Sequence, residues 1–141
     1  MNCTFFGHRD ATEDVKKRLK EAILYLVNTE GVRSFMVGNN GNFDYYAQCV
    51  LQKIKKEGEN ISFKIVLSKI DEMALTDQSQ TIFPEGFEKN LPRFAISKRN
   101  EWLIKNASFI IAYVKNKYSN SAKLVAKCAK KGLRIINLAE K

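Results

Sequence analysis

The sequence predicts an α/β fold: a single domain over residues 1–141, built on a mainly parallel five-stranded sheet with helices on both faces. Three observations point there. Short apolar runs alternate with longer stretches of helical period, the joints between them are short, and small polar residues collect where the apolar runs end.

Residues 3–6 (CTFF) make the first strand. From Thr12, a natural N-cap, apolar residues fall at Val15, Leu19, Ala22, Ile23 and Leu26, which is helical spacing, and Gly31 closes the unit. Residues 34–37 (SFMV) form the second strand. The next helix carries Phe43, Tyr46, Ala47, Val50, Leu51 and Ile54 on one stripe and ends near Gly58, and residues 62–67 (SFKIVL) form the third strand. Two strand–helix alternations with short joints argue for parallel β-α-β units, because parallel neighbours need a crossover between them. The period is lost over residues 68–91, which are polar and contain a Pro-Glu-Gly turn. A loop of that length in a compact domain is a lid, a binding loop or a partner-facing excursion. Regularity returns with a helix over 97–107, a strand over 108–114, a helix over 121–130 stopped by Gly132, and a last strand over 134–138. No internal repeat, low-complexity tract or linker interrupts the chain.

Composition narrows the function classes. An apolar share of 45% with 28% charged residues belongs to a globular chain, and no run approaches the ~20 apolar residues that span a bilayer. The N-terminus carries no signal-peptide pattern. Three scattered cysteines, Cys3, Cys49 and Cys128, with one histidine and no CxxC pair, provide neither a disulfide frame nor a zinc site. A reduced, cytoplasmic setting without membrane partners is the expectation, and no cofactor or metal is called for. The net charge of +9 is uneven: residues 115–141 hold eight Lys or Arg against one acid, Glu140. Such a surface attracts polyanions, but a single aromatic, Tyr118, lies among these lysines, so a solvated helix face is favoured over nucleic-acid binding.

In a doubly wound sheet, ligands bind outside the carboxyl ends of the strands, where strand order reverses. Three loops converge on that edge. Gly7, His8, Arg9 and Asp10 follow the first strand, "GNNGNFD" follows the second, and "KNKYSNSAK" follows the fourth. Gly38 and Gly41 permit positive φ and close backbone approach, and the helix amides behind Asn39 and Asn40 suit an anion, although the spacing matches neither GxGxxG nor the Walker pattern. Asp44 either complements the helix dipole or holds a ribose hydroxyl. Asn120 and Ser121 read as helix caps. Arg9 offers a fork for phosphate or carboxylate, whereas His8 lacks a paired acid or nucleophile and makes no catalytic machine by itself. Trp102 reads as core, and Arg99 is able to reach the same edge.

Taken together, "TFFGHRD", "VGNNGNFDYYA", "FPEGFEKNLPRFAISKRNEWLIKNASFIIAYV" and "AKKGLRIINLA" resemble the small YpsA-like branch of the SLOG superfamily. These are Rossmann-like domains related to the LOG phosphoribohydrolases and the DprA nucleic-acid proteins. The resemblance runs over nearly the whole chain in motif order. It matches Gly-His-Arg to Gly7, His8 and Arg9, the glycine-rich turn ending in Phe-Asp to the segment from Gly38 to Asp44, and Arg-Asn-x-Trp to Arg99, Asn100 and Trp102. It implies a pocket for a nucleotide or nucleotide-derived ligand. Two departures bear on chemistry. Relatives carry Trp-Gly-Gly-Ala-Ala-Lys where this chain has Tyr118, Ser119, Asn120, Ser121, Ala122 and Lys123, which puts side chains where a phosphate would meet bare backbone. The glutamate that the LOG enzymes use on the following helix has no counterpart in "SAKLVAKCAKK". The candidate acids that remain are Asp10, Asp44 and Glu85.

The leading expectation is therefore non-catalytic binding or sensing of a nucleotide-derived small molecule. The ligand-binding candidates are Gly7, His8, Arg9, Gly38, Asn39, Asn40, Gly41, Asp44, Arg99, Asn100, Ser119, Asn120 and Ser121. A nucleotide N-glycoside hydrolase or transferase using Asp44 or Glu85 stands second. Nucleic-acid binding through the basic C-terminal face stands third. A homodimer is left open as an assembly state.

Overall fold

The computed structural model describes residues 1–70 and 80–139. Strand β1 (Asn2–Gly7) leads through helix α1 (Val15–Thr29) to β2 (Ser34–Val37), then through α2 (Asn42–Lys56) to β3 (Ser62–Val66). A short strand, β4 (Thr81–Ile82), and two 3-10 turns, Phe87–Lys89 and Pro92–Phe94, precede α3 (Ala95–Lys105). Then come β5 (Phe109–Tyr113), α4 (Asn120–Lys130) and β6 (Arg134–Asn137). The strands form one sheet in the order β4-β3-β2-β1-β5-β6, and every pairing is parallel. This is a Rossmann-like arrangement.

The direction of travel decides which face each helix covers. From β1 to β4 the chain moves outward on one side of β1, and then it returns to lay β5 on the other side. Right-handed crossovers that run in opposite directions put their helices on opposite faces. The strand residues divide accordingly. Cys3, Phe5, Phe35, Val37, Phe63, Ile65, Phe109 and Ile111 pack under α1 and α2. Phe6, Met36, Val66, Ile110 and Ala112 pack under α3 and α4, with Leu103, Ile104 and Cys128. This period of two follows from the pleat. Thr4 is the polar exception inside β1. It is fully buried, and its hydroxyl donates to Met36 O at 2.8 Å, so the burial leaves no orphaned donor. Trp102 is half-buried against the α3/α4 core, as its helical position suggested.

Three details depart from the sequence reading. The sheet has six strands, not five: Thr81 and Ile82 pair with Ile65 and Val66 inside the stretch read as loop. Two residues are too few for any period to register. The remainder of that reading, over residues 71–79, lies outside the described residues. Helix α1 starts at Val15 rather than directly after Thr12, because the Thr12 hydroxyl is engaged by the Asp14 carboxylate and reaches no helix amide. Helix α4 is capped by Ser119, whose Oγ accepts from Ala122 N at 3.1 Å, and not by Asn120 or Ser121. Among the described residues no helix is long and apolar enough to cross a membrane.

Candidate functional site

The reversal of strand order falls between β1 and β5, and a cavity of about 210 Å³ opens there at the carboxyl ends of the strands. Its polar lining comes from all three expected loops and from α3: Gly7 and Arg9, Asn40 and Asp44, Asn120 and Ser121, Arg99 and Asn100. Its apolar lining is Phe5, Phe6, Ile96, Leu103 and Leu124.

The loops are fastened to one another through backbone and glycine contacts. Gly41 sits at φ +99°, and a Cβ there would lie 2.7 Å from Arg9 Cα, so only glycine lets the β1–α1 and β2–α2 loops come this close. Asn42 N then donates to Arg9 O at 2.9 Å, and Asn42 Nδ2 donates to Ala11 O at 3.1 Å. Gly7 is bare for a different reason: a Cβ would lie 2.4 Å from the Phe43 ring. The third loop joins through Ser121 Oγ, which donates to Gly7 O at 3.0 Å.

Asp44 and Arg99 form the charged floor. Asp44 lies in the first turn of α2, where a carboxylate complements the helix dipole, and its Oδ2 accepts from Asn40 N at 2.9 Å. Burial pushes its carboxyl up to about 6, against the opposing pull of the Arg99 charge and the Asn40 N–H. Arg99 is 3% exposed; Nη1 donates to Asn39 Oδ1 at 3.2 Å and Nη2 to Asn100 Oδ1 at 3.1 Å. The guanidinium thus ties α3 to the β2–α2 loop as well as facing the cavity.

Eight of the expected site residues line the cavity; Gly38, Asn39, Gly41, Ser119 and His8 do not. The first four shape it from behind. Gly38 makes room for Asp44 and Arg99, Asn39 holds Arg99, Gly41 admits Arg9, and Ser119 spends its hydroxyl on the cap and on Asn116 O. His8 points the other way. Residues alternate direction as they leave a strand, so Gly7 and Arg9 face the cavity while His8 turns toward the β5–α4 loop. There its Nε2 accepts from Lys115 N at 2.8 Å and Asn116 N at 3.4 Å, and its ring meets Tyr113 edge-on. Asp10 lines that second hollow with His8. Glu85 is exposed beside Gly86 in its turn and lines neither cavity.

Sequence reasoning missed the apolar walls. Leu124 follows Ser121 by three residues and Ile96 precedes Asn100 by four, spacings that share a helix face and that a search outward from the polar residues would have found. Among the described residues no cluster of three His, Cys, Asp or Glu is placed to hold a metal. Asp44 is therefore the acid the cavity presents, beside two arginines and four amide or hydroxyl side chains. Such a set recognises sugar hydroxyls, base edges and anionic groups. Compared with known proteins, the chain matches no family model and no curated protein.

Proposed function

We propose that the protein binds a nucleotide or nucleotide-derived ligand in the β1/β5 cavity and acts as a sensor rather than as an enzyme, as a member of the YpsA-like branch of the SLOG superfamily. The observation that carries this reading is the convergence of Arg9, Asn40, Asp44, Arg99, Asn100, Asn120 and Ser121 on one cavity at the switch point. Asp44 and the amides suit sugar hydroxyls and a base edge, and Arg9, exposed at the rim, suits an anion. The three cysteines are free thiols, in keeping with a reduced, cytoplasmic setting.

One observation favours a second reading. A carboxyl raised to about 6 is suited to general acid catalysis, so Asp44 supports an N-glycoside hydrolase or transferase. Against this, α4 offers no carboxylate, and Asp44 Oδ2 already accepts from Asn40 N.

A thermal-shift screen against nucleosides and nucleotides tests both, because a ligand that binds only the folded state raises Tm. The sensor reading expects a shift with one base and no release of free base when the same mixtures are chromatographed. Base release well above background, abolished by Asp44→Asn, would replace it with the enzyme. A panel without any shift would overturn nucleotide binding altogether.

A further inference from the structure

We infer that the ligand carries a chain of two or more phosphates, which leaves the cavity along a basic groove between α3 and α4. The inference rests on the nucleotide reading above and deepens it.

The first observation is one of size. At about 210 Å³ the cavity is smaller than the ~300–1,000 Å³ of sites that enclose a whole ligand. It takes the sugar and part of a base, and the rest of a nucleotide has to lie outside. The second observation is where the exit leads. A groove of about 430 Å³ shares Ile96, Asn100, Asn120 and Leu124 with the cavity, so the two spaces meet along a common wall.

The third observation is charge. The groove adds Arg93 from the turn before α3, and Lys123 and Lys127 from α4. Among the described residues none of these three forms an ion pair. The groove's one acid, Glu101, is matched by Lys98 at 3.7 Å. An excess of cations beside a mouth of amides is complementary to an anionic chain, not to a second sugar or an apolar group.

Helix geometry sets the length. Lys123 and Lys127 are four residues apart, on one face, with a rise of about 6 Å, and Lys127 lies about 10 Å along the helix from Asn120 at the mouth. A single phosphate on a sugar held in the cavity reaches the mouth but not Lys127. A diphosphate or triphosphate spans the interval. The groove therefore selects for phosphate number, while the cavity selects for the nucleoside.

Calorimetric titration of nucleoside 5′-mono-, di- and triphosphates of all four bases tests this. The protein is compared with a Lys123→Ala, Lys127→Ala pair and a Lys130→Ala, Lys131→Ala pair. Both pairs remove two exposed lysines from the same end of the chain, and only the first lies in the groove. For the preferred base, the diphosphate is expected to bind about tenfold more tightly than the monophosphate, and the groove pair is expected to erase that advantage. The control pair should keep it. Equal affinity for mono- and diphosphate on the unaltered protein overturns the inference and leaves nucleotide binding standing. Equal losses from both pairs also overturn it, since general charge would then suffice. If no nucleoside or nucleotide binds, it is the cavity reading that has failed, and the groove falls with it.

Discussion

The carboxylate of Asp44 and the guanidinium of Arg99 pack over one bare backbone position. A Cβ on Gly38 would lie 2.8 Å from both Asp44 Oδ2 and Arg99 Cζ. Two opposite charges from helices on opposite faces of the sheet thus meet at the end of β2, in a site buried enough that desolvation outweighs their attraction in setting the Asp44 proton. The floor of the cavity is therefore electrically poised near neutral pH.

Asp44 should give stability a distinctive pH dependence. Its folded value of about 6 stands above the ordinary 3.8, so the native state holds a proton that the unfolded chain releases. That contribution is fully present below the unfolded value and is lost as pH rises through 6. Relative to Asp44→Asn, the unaltered protein should gain about 1 kcal/mol between pH 7 and pH 5. Urea unfolding at the two pH values measures it. A difference of opposite sign would mean that Arg99 keeps the carboxylate ionised in the native state.

Gly41→Ala should cost far more than Gly132→Ala. Both glycines have positive φ, +99° and +79°, but Gly132 faces open space whereas Gly41 lies against Arg9 Cα. Backbone strain alone should cost about 1 kcal/mol at Gly132. At Gly41 the overpacking adds about 1–3 kcal/mol and separates the loops that form the cavity. Thermal unfolding of the two variants, side by side, decides between these sizes, and equal costs would contradict the close approach.

His8 should matter for stability and not for ligand chemistry. Its ring nitrogen accepts the Lys115 and Asn116 amides, which hold the β5–α4 loop against β1. His8→Ala leaves those donors to water and should cost about 1 kcal/mol. Hydrogen exchange at Lys115 and Asn116 should speed up. A loss of ligand affinity greater than that from Arg9→Ala would place His8 in the site after all.

Arg9→Ala should cost about 2 kcal/mol in affinity for an anionic ligand, some thirtyfold, through loss of a charge-assisted contact. Global stability should change little, because the loop is held by Arg9 O and not by its side chain. Titration at low and high salt separates this from screening: the exposed Lys130 and Lys131 should contribute well under 1 kcal/mol each, vanishing at high salt.

Much of this was legible in the chain itself. The helical stripe from Val15 to Leu26, the apolar runs at 34–37 and 62–67 and the glycines between them determine alternating strands and helices, because periodicity is a local consequence of burying one face. The loops that carry Arg9, Asn40, Asp44 and Asn120 were legible for the same reason, since they sit where the apolar runs stop. Direction and distance were not. Whether His8 or Arg9 faces the cavity, whether Ser119 or Asn120 caps α4, and whether two residues at Thr81 and Ile82 join the sheet depend on partners far away in sequence. The same holds for Asp44, whose carboxyl is raised by burial in the packed fold against the opposing charge of Arg99, which α3 brings to it from 55 residues away. A sequence fixes which groups are near each other along the chain, but desolvation and pairing depend on which groups are near in space, and only the folded packing of α3 and α4 against the sheet decides that.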